Sequence, residues 1–541
     1  WCAAIAERPP ATFAEALQLM WLVGHVFCTM LSVNPTLTFG RMDELLLPYY
    51  LQDLEEGLLT RAEAGDLVED FYCKNNLVLG RGEHQMSLGT AHDTGWQRNL
   101  TYDAPQYVVL GGRRPEGGEA VNDLTLLFLE RIVPRFENPV IVLRYTPDLP
   151  EAAWRLACEK MRANASMLVY NDEQVIPAMV HCGIEPHDAV TYTMHGCNWP
   201  DIPGVQHALE IQFLILPRLV RDVLLDPELE IASLDDVYAH LATRVGVEVG
   251  ALCDGLRTAR AAWDAQAPGV LRVADCFFEG PVAEARSWQL GGIRYPNVIC
   301  SIAGTGTAAD SLAALEAVAF GREPVPLDAL RDALRDDFAG QEALRRRCLN
   351  APHYGQDDGR ADRHAVRLLE MVHREIDRAS RLGTPGELIV FRCLETDMRH
   401  IPMGAEIGAT PDGRRAGQPL SENTSPAPGS GIHGLTAMLR SVAKLPMGRA
   451  SSGALNVRLQ PAMFAGEEGL ARLAHLLRAY FDVGGLQVQL SLADVAELRD
   501  AQVHPEQHRD LMVRITGYSA AFVDMQRSAQ DEIIRREEMG S

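Results

Sequence analysis

Two places in the chain put reactive residue types in settings where they could do chemistry. The first is Met194-His195-Gly196-Cys197-Asn198-Trp199-Pro200, where one cysteine sits in a turn framed by Gly and Pro. Taken alone, a single thiol there is by default a structural one that packs as a small hydrophobe. His195 and Asn198 border it. Either can orient a polar substrate group, and His195 can shuttle a proton near neutral pH, or both can be turn residues bonded to backbone. Trp199 can stack on a bulky or aromatic substrate or face the core. The second place is Val513-Arg514-Ile515-Thr516-Gly517-Tyr518-Ser519-Ala520, followed by Phe522 and Gln530-Asp531-Glu532-Ile533-Ile534. Taken alone, Gly517 is a turn glycine, free to adopt backbone angles that other residues resist. A third run, Gly304-Thr305-Gly306-Thr307-Ala308-Ala309, follows a strand-like segment and opens a helix, as a dinucleotide-binding loop would. The residues after it, Gly321, Pro324 and Pro326, do not supply the second buried strand such a unit needs. The sequence contains no HExxH, no paired CxxC and no Walker A loop.

The residues around Gly517 resemble the glycyl radical loop of the pyruvate formate-lyase superfamily, with its R-V-x-G-Y and downstream Q-D-E-I-I. Upstream of Cys197, Tyr170-Asn171-Asp172-Glu173-Gln174-Val175-Ile176-Pro177-Ala178 resembles the family's N-D-E-x-x-I-P-A. The likeness runs along nearly the whole chain. Thr38-Phe39-Gly40-Arg41-Met42-Asp43 is similar to S-F-G-R-x-D, Asp310-Ser311-Leu312-Ala313-Ala314 to D-S-L-A-A, and Asn350-Ala351-Pro352-His353-Tyr354-Gly355 to N-A-P-K-Y-G. Thr410-Pro411-Asp412-Gly413-Arg414 with Ser425-Pro426 is similar to T-P-D-G-R and its trailing S-P, and Ser441-Val442-Ala443-Lys444-Leu445 closes the series.

The resemblance implies a ten-stranded α/β barrel of two five-stranded half-barrels surrounded by helices, with the Cys loop and the Gly loop meeting inside. Residues 1–400 would form the pyruvate formate-lyase-like part and 401–541 the glycyl radical part of the same barrel. Gly517 would store a radical on its α-carbon, where the missing side chain allows planarity and delocalisation into both flanking amides. Cys197 would pass hydrogen to it and become the thiyl that attacks a small organic substrate. Thr38, His195, Asn198 and Trp199 are the pocket candidates. No cofactor or metal is implied on this chain; the radical is installed after translation by a radical S-adenosylmethionine activating enzyme that carries its own iron–sulfur cluster. A cytoplasmic, oxygen-sensitive homodimer working anaerobically is expected.

Two departures matter. The helical segment that precedes the family's Pro-Pro-x-Thr-Phe block has no counterpart ahead of Pro9-Pro10 here, so part of the pocket wall is expected to be missing from this chain. Many members also have Gly-Cys-x-Glu, whose glutamate moves protons, and here that position is Trp199. The adjacent second cysteine of formate acetyltransferases is absent as well. Lyase-type cleavage or carbon–carbon chemistry is therefore expected. The alternatives are a formate acetyltransferase or dehydratase of the same family, or a degenerate homologue acting as a scaffold.

The elements that must hold these loops can be read from pattern. The chain has 541 residues, 47% of them hydrophobic, enough for a large core, and its net charge of −23 argues against nucleic acid as a partner. The apolar run from Ala16 to Leu31 contains Gln18 and His25 and is too short to span a bilayer, and no signal peptide is evident. Eleven cysteines without regular spacing suggest reduced thiols. Helical spacing of apolar residues runs over Leu58–Asn75 and Asp123–Ile132. Continuous apolar strands are expected over Tyr107–Gly112, Pro139–Tyr145, Met167–Tyr170, Val298–Ala303 and Leu486–Ser491, with an ordered loop over Gly404–Gly434.

Overall fold

A computed structural model describes residues 2–26, 37–78, 106–133, 136, 138–163, 166–195, 199–265, 271–381, 389–395, 399–430, 433–492, 494–514, 519–525, 527, 530–531 and 533–534. Strands β1 (Leu37–Arg41), β2 (Gln106–Gly111), β3 (Val140–Tyr145) and β4 (Met167–Asn171) pair in parallel, in that order. The short β5 (Thr193–His195) and β6 (Trp199–Asp201) form a separate hairpin. A second parallel array runs through β7 (Gln206–Ile215), β8 (Tyr295–Ala303), β9 (Ile389–Leu394) and β10 (Ser452–Gly453). Only Ala454 and Leu455 separate β10 from β11 (Asn456–Arg458), so one run of chain carries the second array over to β12 (Gln487–Ser491). β12 then pairs antiparallel with β4 and joins the two arrays. Among the described residues the hydrogen-bonded sheets hold six strands (β1-β2-β3-β4-β12-β11) and four (β10-β9-β8-β7), where two half-barrels of five were expected.

The strands are buried on both faces because helices cover one side and the chain's own hairpins fill the other. β2, β3 and β4 are buried at every position and rich in Val and Leu, which is what a doubly covered parallel sheet selects. Outward, Tyr145 stacks on Phe481 and packs edge-on against Trp154, both from covering helices. Arg392 of β9 likewise reaches Asp377 of the helix Gly359–Ser380. Residues that alternate with these face the other way, and Thr38, Tyr107, Val140, Arg144 and Tyr170 share that inner face through the parallel register. Local caps set the helix starts. Asn122 and Thr125 form a reciprocal box at Asp123–Glu130, and Asp358 accepts from Arg360 N at Gly359–Ser380. No helix among the described residues is long and apolar enough to cross a membrane. Nine cysteines are described as free thiols; Cys158, Cys182, Cys253, Cys300, Cys348 and Cys393 are buried. Burial pushes the Cys300 and Cys348 thiols up to about 12, so they are neutral core atoms.

Candidate active site

Both loops singled out in the sequence are borne on antiparallel two-stranded hairpins. In the first, Thr193 pairs with Asp201, Met194 with Pro200 and His195 with Trp199. The next residues, 196–198, include Cys197 and Asn198 and lie outside the described residues. In the second, β13 (Met512–Arg514) pairs with β14 (Ser519–Ala521), ending at Arg514 opposite Ser519. Residues 515–518, with Gly517, also lie outside the described residues. His195 ends β5. Trp199 is half-buried and packs against the main core, and the hairpin's first strand lies against β1 and β2. Thr38 sits on the inner face of β1, where its Oγ1 accepts a hydrogen bond from Gly40 N at 3.1 Å.

The Asn171-Asp172 pair is the footing of both hairpins. Asp172 is fully buried and takes a bidentate pair from Arg144, Nε at 2.8 Å and Nη2 at 2.7 Å. Its Oδ1 also accepts from the Tyr192 hydroxyl at 2.7 Å and its Oδ2 from Arg113 N at 2.8 Å. Arg144 Nη1 donates to Tyr192 O at 3.1 Å, and the guanidinium lies 3.9 Å over the Tyr192 ring. Tyr192 immediately precedes β5, so this buried knot fixes where the first hairpin begins. Burial opposes the Arg144 charge, but Asp172 and Tyr192 outweigh it and hold the guanidinium above its ordinary value. Burial, then Asp172, keeps the Tyr192 hydroxyl protonated. Gly112 has φ +88°, and a Cβ there would come within 2.5 Å of Arg144 Nε, so glycine is required for the guanidinium to pass. Asn171 works toward the other hairpin. Its Oδ1 caps the helix Asp172–His181 through Glu173 N, while its Nδ2 donates to Phe481 O and Gly485 O just before β12.

β12 in turn holds the second hairpin. Gln489 Oε1 accepts from Arg514 Nη2 at 2.9 Å and Nε at 3.1 Å, and Arg514 Nη1 donates to Ser519 Oγ at 3.1 Å. Gln489 Nε2 donates to Asn456 Oδ1, whose Nδ2 donates to Glu422 Oε1, and Arg458 Nη2 reaches Glu422 Oε2 at 3.2 Å. Sequence reasoning missed Arg144, Gln489, Asn456 and Glu422. The one available signal was the alternation of Gln487 and Gln489 with Val488 and Leu490 in a strand expected to be buried on both faces. Behind the second hairpin, Leu498, Ala501, Val513, Ala520, Phe522, Met525, Ile533 and Ile534 form a small core of their own, apart from the main one.

The glycine run after β8 serves the protein's own packing. Thr307 N donates to Ser421 Oγ at 2.9 Å and Ser421 N donates to Thr307 Oγ1 at 2.7 Å. A Cβ on Gly306 would approach Ser425 O to 2.9 Å. The loop 421–425 therefore sits over the helix start where a nucleotide phosphate would have to lie. Beside it is a cavity of about 430 Å³ whose wall includes Asp310, His353, Asp412, Ser425, Glu422 and Arg458. Burial works against a charge on His353, but its hydrogen bond to Asp310 and that carboxylate's charge lift it to about 9.

Family models place this architecture. Residues 1–387 match the pyruvate formate lyase-like model and residues 420–523 the glycine radical model. The chain belongs to the pyruvate formate lyase-like family of glycyl radical enzymes. It is 28% identical over 560 residues to trans-4-hydroxy-L-proline dehydratase of Clostridioides difficile, covering 99% of this chain and 69% of that protein. It is 31% identical over 583 residues to the probable dehydratase YbiW of Escherichia coli (strain K12), with coverage of 99% and 69%. The glycerol-bound B12-independent glycerol dehydratase from Clostridium butyricum superposes with a TM-score of 0.86 at 28% identity, covering 97% of this chain and 67% of that one. The mixed α/β fold, with its parallel sheet curled inside helices, is that of these glycyl radical enzymes. Lyase-type radical chemistry is the activity of the family members to which the chain is similar.

Proposed function

We propose that Gly517 stores the radical and Cys197 delivers it. In the first transfer the Cys197 S–H hydrogen moves to the Gly517 α-carbon, leaving a thiyl. In the second the thiyl takes hydrogen from a substrate C–H and the thiol is restored, leaving a substrate radical that loses a neighbouring group. The product radical takes the Cys197 hydrogen back, and the thiyl recovers hydrogen from Gly517 to restore the stored radical. The observation that carries this reading is the pair of hairpins, one bearing Cys197 and one bearing Gly517, both founded on Asn171-Asp172. Burial of the footing on the inner face keeps water from the radical-bearing chemistry. Thr38, on the inner face, and His195, Asn198 and Trp199, beside the cysteine, form the substrate wall. The indole of Trp199 cannot take a proton, so His195 takes over proton transfer.

Residues 1–400 supply the Cys hairpin and most strands, and residues 401–541 form the glycyl radical part, a division that the two matched segments support. The chain binds no cofactor of its own; a radical S-adenosylmethionine activating enzyme installs the radical on Gly517. The separate small core behind β13 and β14 supports such access, because the hairpin can move with its own core intact. The enzyme works as a cytoplasmic homodimer on a small organic molecule. Dehydration is the second reading, favoured by relatives named as dehydratases. Anaerobic electron paramagnetic resonance after treatment with the activating enzyme tests the assignment. A doublet that disappears in Gly517→Ala, with turnover lost in Cys197→Ala, is expected; a folded chain that gives no doublet with a competent activator would overturn it.

A further inference from the structure

The bonds between Glu422 and Arg514 have a direction. Glu422 Oε1 is a carboxylate oxygen and can only accept, so it draws the Nδ2 end of Asn456 toward itself. That leaves Asn456 Oδ1 facing Gln489, where it accepts from Gln489 Nε2. Gln489 is thereby turned so that Oε1 faces Arg514 and takes two guanidinium N–H groups, at 2.9 and 3.1 Å. An anion at one end and a cation at the other align two carboxamides head to tail between them. Gln489 is fully buried, and Glu422, Asn456 and Arg514 are each less than a tenth exposed. In such surroundings aligned hydrogen bonds strengthen one another, and a reversed amide would set an NH₂ against a guanidinium. A carboxamide has no intrinsic preference for which end points where; its network decides.

Arg514 is also the last described residue before Gly517, and its third bond, Nη1 to Ser519 Oγ, crosses the final pair of the hairpin. The relay therefore ends on the two residues that flank 515–518. Its other end opens on the wall of the 430 Å³ cavity, where Arg458 also pairs with Glu422. We infer that Gln489 is the positioning residue of the Gly hairpin and that Glu422 acts through it, setting the direction of the two amides so that Arg514 is gripped and the hairpin stays docked on β12. The part of this inference that concerns the radical rests on Gly517 being its site; the part that concerns docking does not.

Two measurements on the full chain test it. Amide hydrogen exchange of β13 and β14 in the unactivated protein reads docking, and loss of the electron paramagnetic resonance doublet on limited oxygen exposure reads shielding of the radical. Glu422→Gln keeps the size but removes the charge that sets direction; exchange in β13 and β14 and oxygen quenching should each quicken roughly tenfold, as for loss of a hydrogen bond to a charged group. Exchange in β3, far from the relay in sequence, should not change. Adding Gln489→Glu places a carboxylate directly on Arg514 and should bring both rates back to within about threefold of wild type. No change in Glu422→Gln, or a change that Gln489→Glu does not reverse, would overturn the relay. Faster exchange with unchanged quenching would overturn its role in shielding. A wild type without a doublet would instead remove the Gly517 reading, and the exchange comparison would still decide the relay. If Glu422→Gln does not fold, Gln489→Leu carries the same expectation of a roughly tenfold increase in exchange confined to β13 and β14.

Discussion

The two hairpins are alike in topology and opposite in how they are held. The Cys hairpin starts from a charge pair buried without solvent contact, Arg144 with Asp172, and its first strand lies against β1 and β2 of the main sheet. The Gly hairpin rests on a small core of its own and meets the sheet through the carboxamide of Gln489. Removing one member of a buried ion pair leaves a stranded charge, so the first mounting cannot loosen without loosening the fold. A hairpin with its own core, attached through polar side chains, can part from the sheet with that small core intact. The difference suits the proposed roles: the thiol must be aimed at substrate in every turnover, while the glycine must also be reached from outside by an activating enzyme.

The largest expected effect separates the two loops by chemistry. Cys197→Ala should abolish turnover and leave the doublet, whereas Gly517→Ala should abolish both; a Gly517→Ala enzyme that still turns over would erase the distinction. On admitting oxygen to activated protein, the chain should be cut at Gly517 and release residues 518–541, seen as a shortened band and a small fragment by mass spectrometry.

Asp172→Ala comes next. It strands the Arg144 charge and should cost about 3–5 kcal/mol of global stability, measured by denaturant unfolding. Gln489→Leu should instead cost only about 1.4 kcal/mol of global stability, the equivalent of the tenfold loss of docking, and open only β13 and β14. Equal global losses from the two would show that the mountings are not different in kind.

A pH series should distinguish the surroundings of the hairpins. His353 is raised to about 9 in the fold, above its ordinary 6.5, so its pairing with Asp310 contributes fully below about 6.5 and is lost as pH rises through about 9. The contribution is up to roughly 3 kcal/mol. Between pH 6 and 10 the wall of the cavity at the Glu422 end of the relay should loosen, while the Arg144 knot keeps its charge. His353→Lys, which stays protonated across most of this window, should flatten the curve, and an unchanged slope would remove His353 as its source. The smallest effect is expected at Thr38→Val, which deletes the bond from Gly40 N and should cost about 1 kcal/mol in the strand beside the Cys hairpin.

Much of this molecule was open to reading from its residues. The strands at Gln106–Gly111, Val140–Tyr145 and Met167–Asn171 lie where unbroken apolar runs put them, since a doubly covered parallel strand has no polar face to interrupt the pattern. Of the Gly404–Gly434 stretch, residues 407–430 are irregular and more than half buried, as its Gly, Pro and Ser content with ordered motifs suggested, while 404–406 end the helix His400–Glu406. The mountings were not legible. Arg144 in Val-Leu-Arg-Tyr reads as an interruption of a strand, and nothing near it in sequence announces Asp172, 28 residues on, as its partner. Gln489, Asn456 and Glu422 stand 33 and 34 residues apart along the relay, and each alone is an unremarkable polar residue.

The sequence by itself singled out the atoms proposed to carry the chemistry, because a glycine α-carbon and a thiol are properties of residue type, and their flanking residues act over a few bonds. It also marked several of the strands and helices, through the period of apolar residues along the chain. Only the tertiary structure decided that Asn171 and Asp172 serve opposite hairpins, and that one hairpin stands on a buried charge and the other on an oriented amide. Those decisions rest on burial and on hydrogen-bond direction, and both exist only once distant segments have excluded water from the space between them.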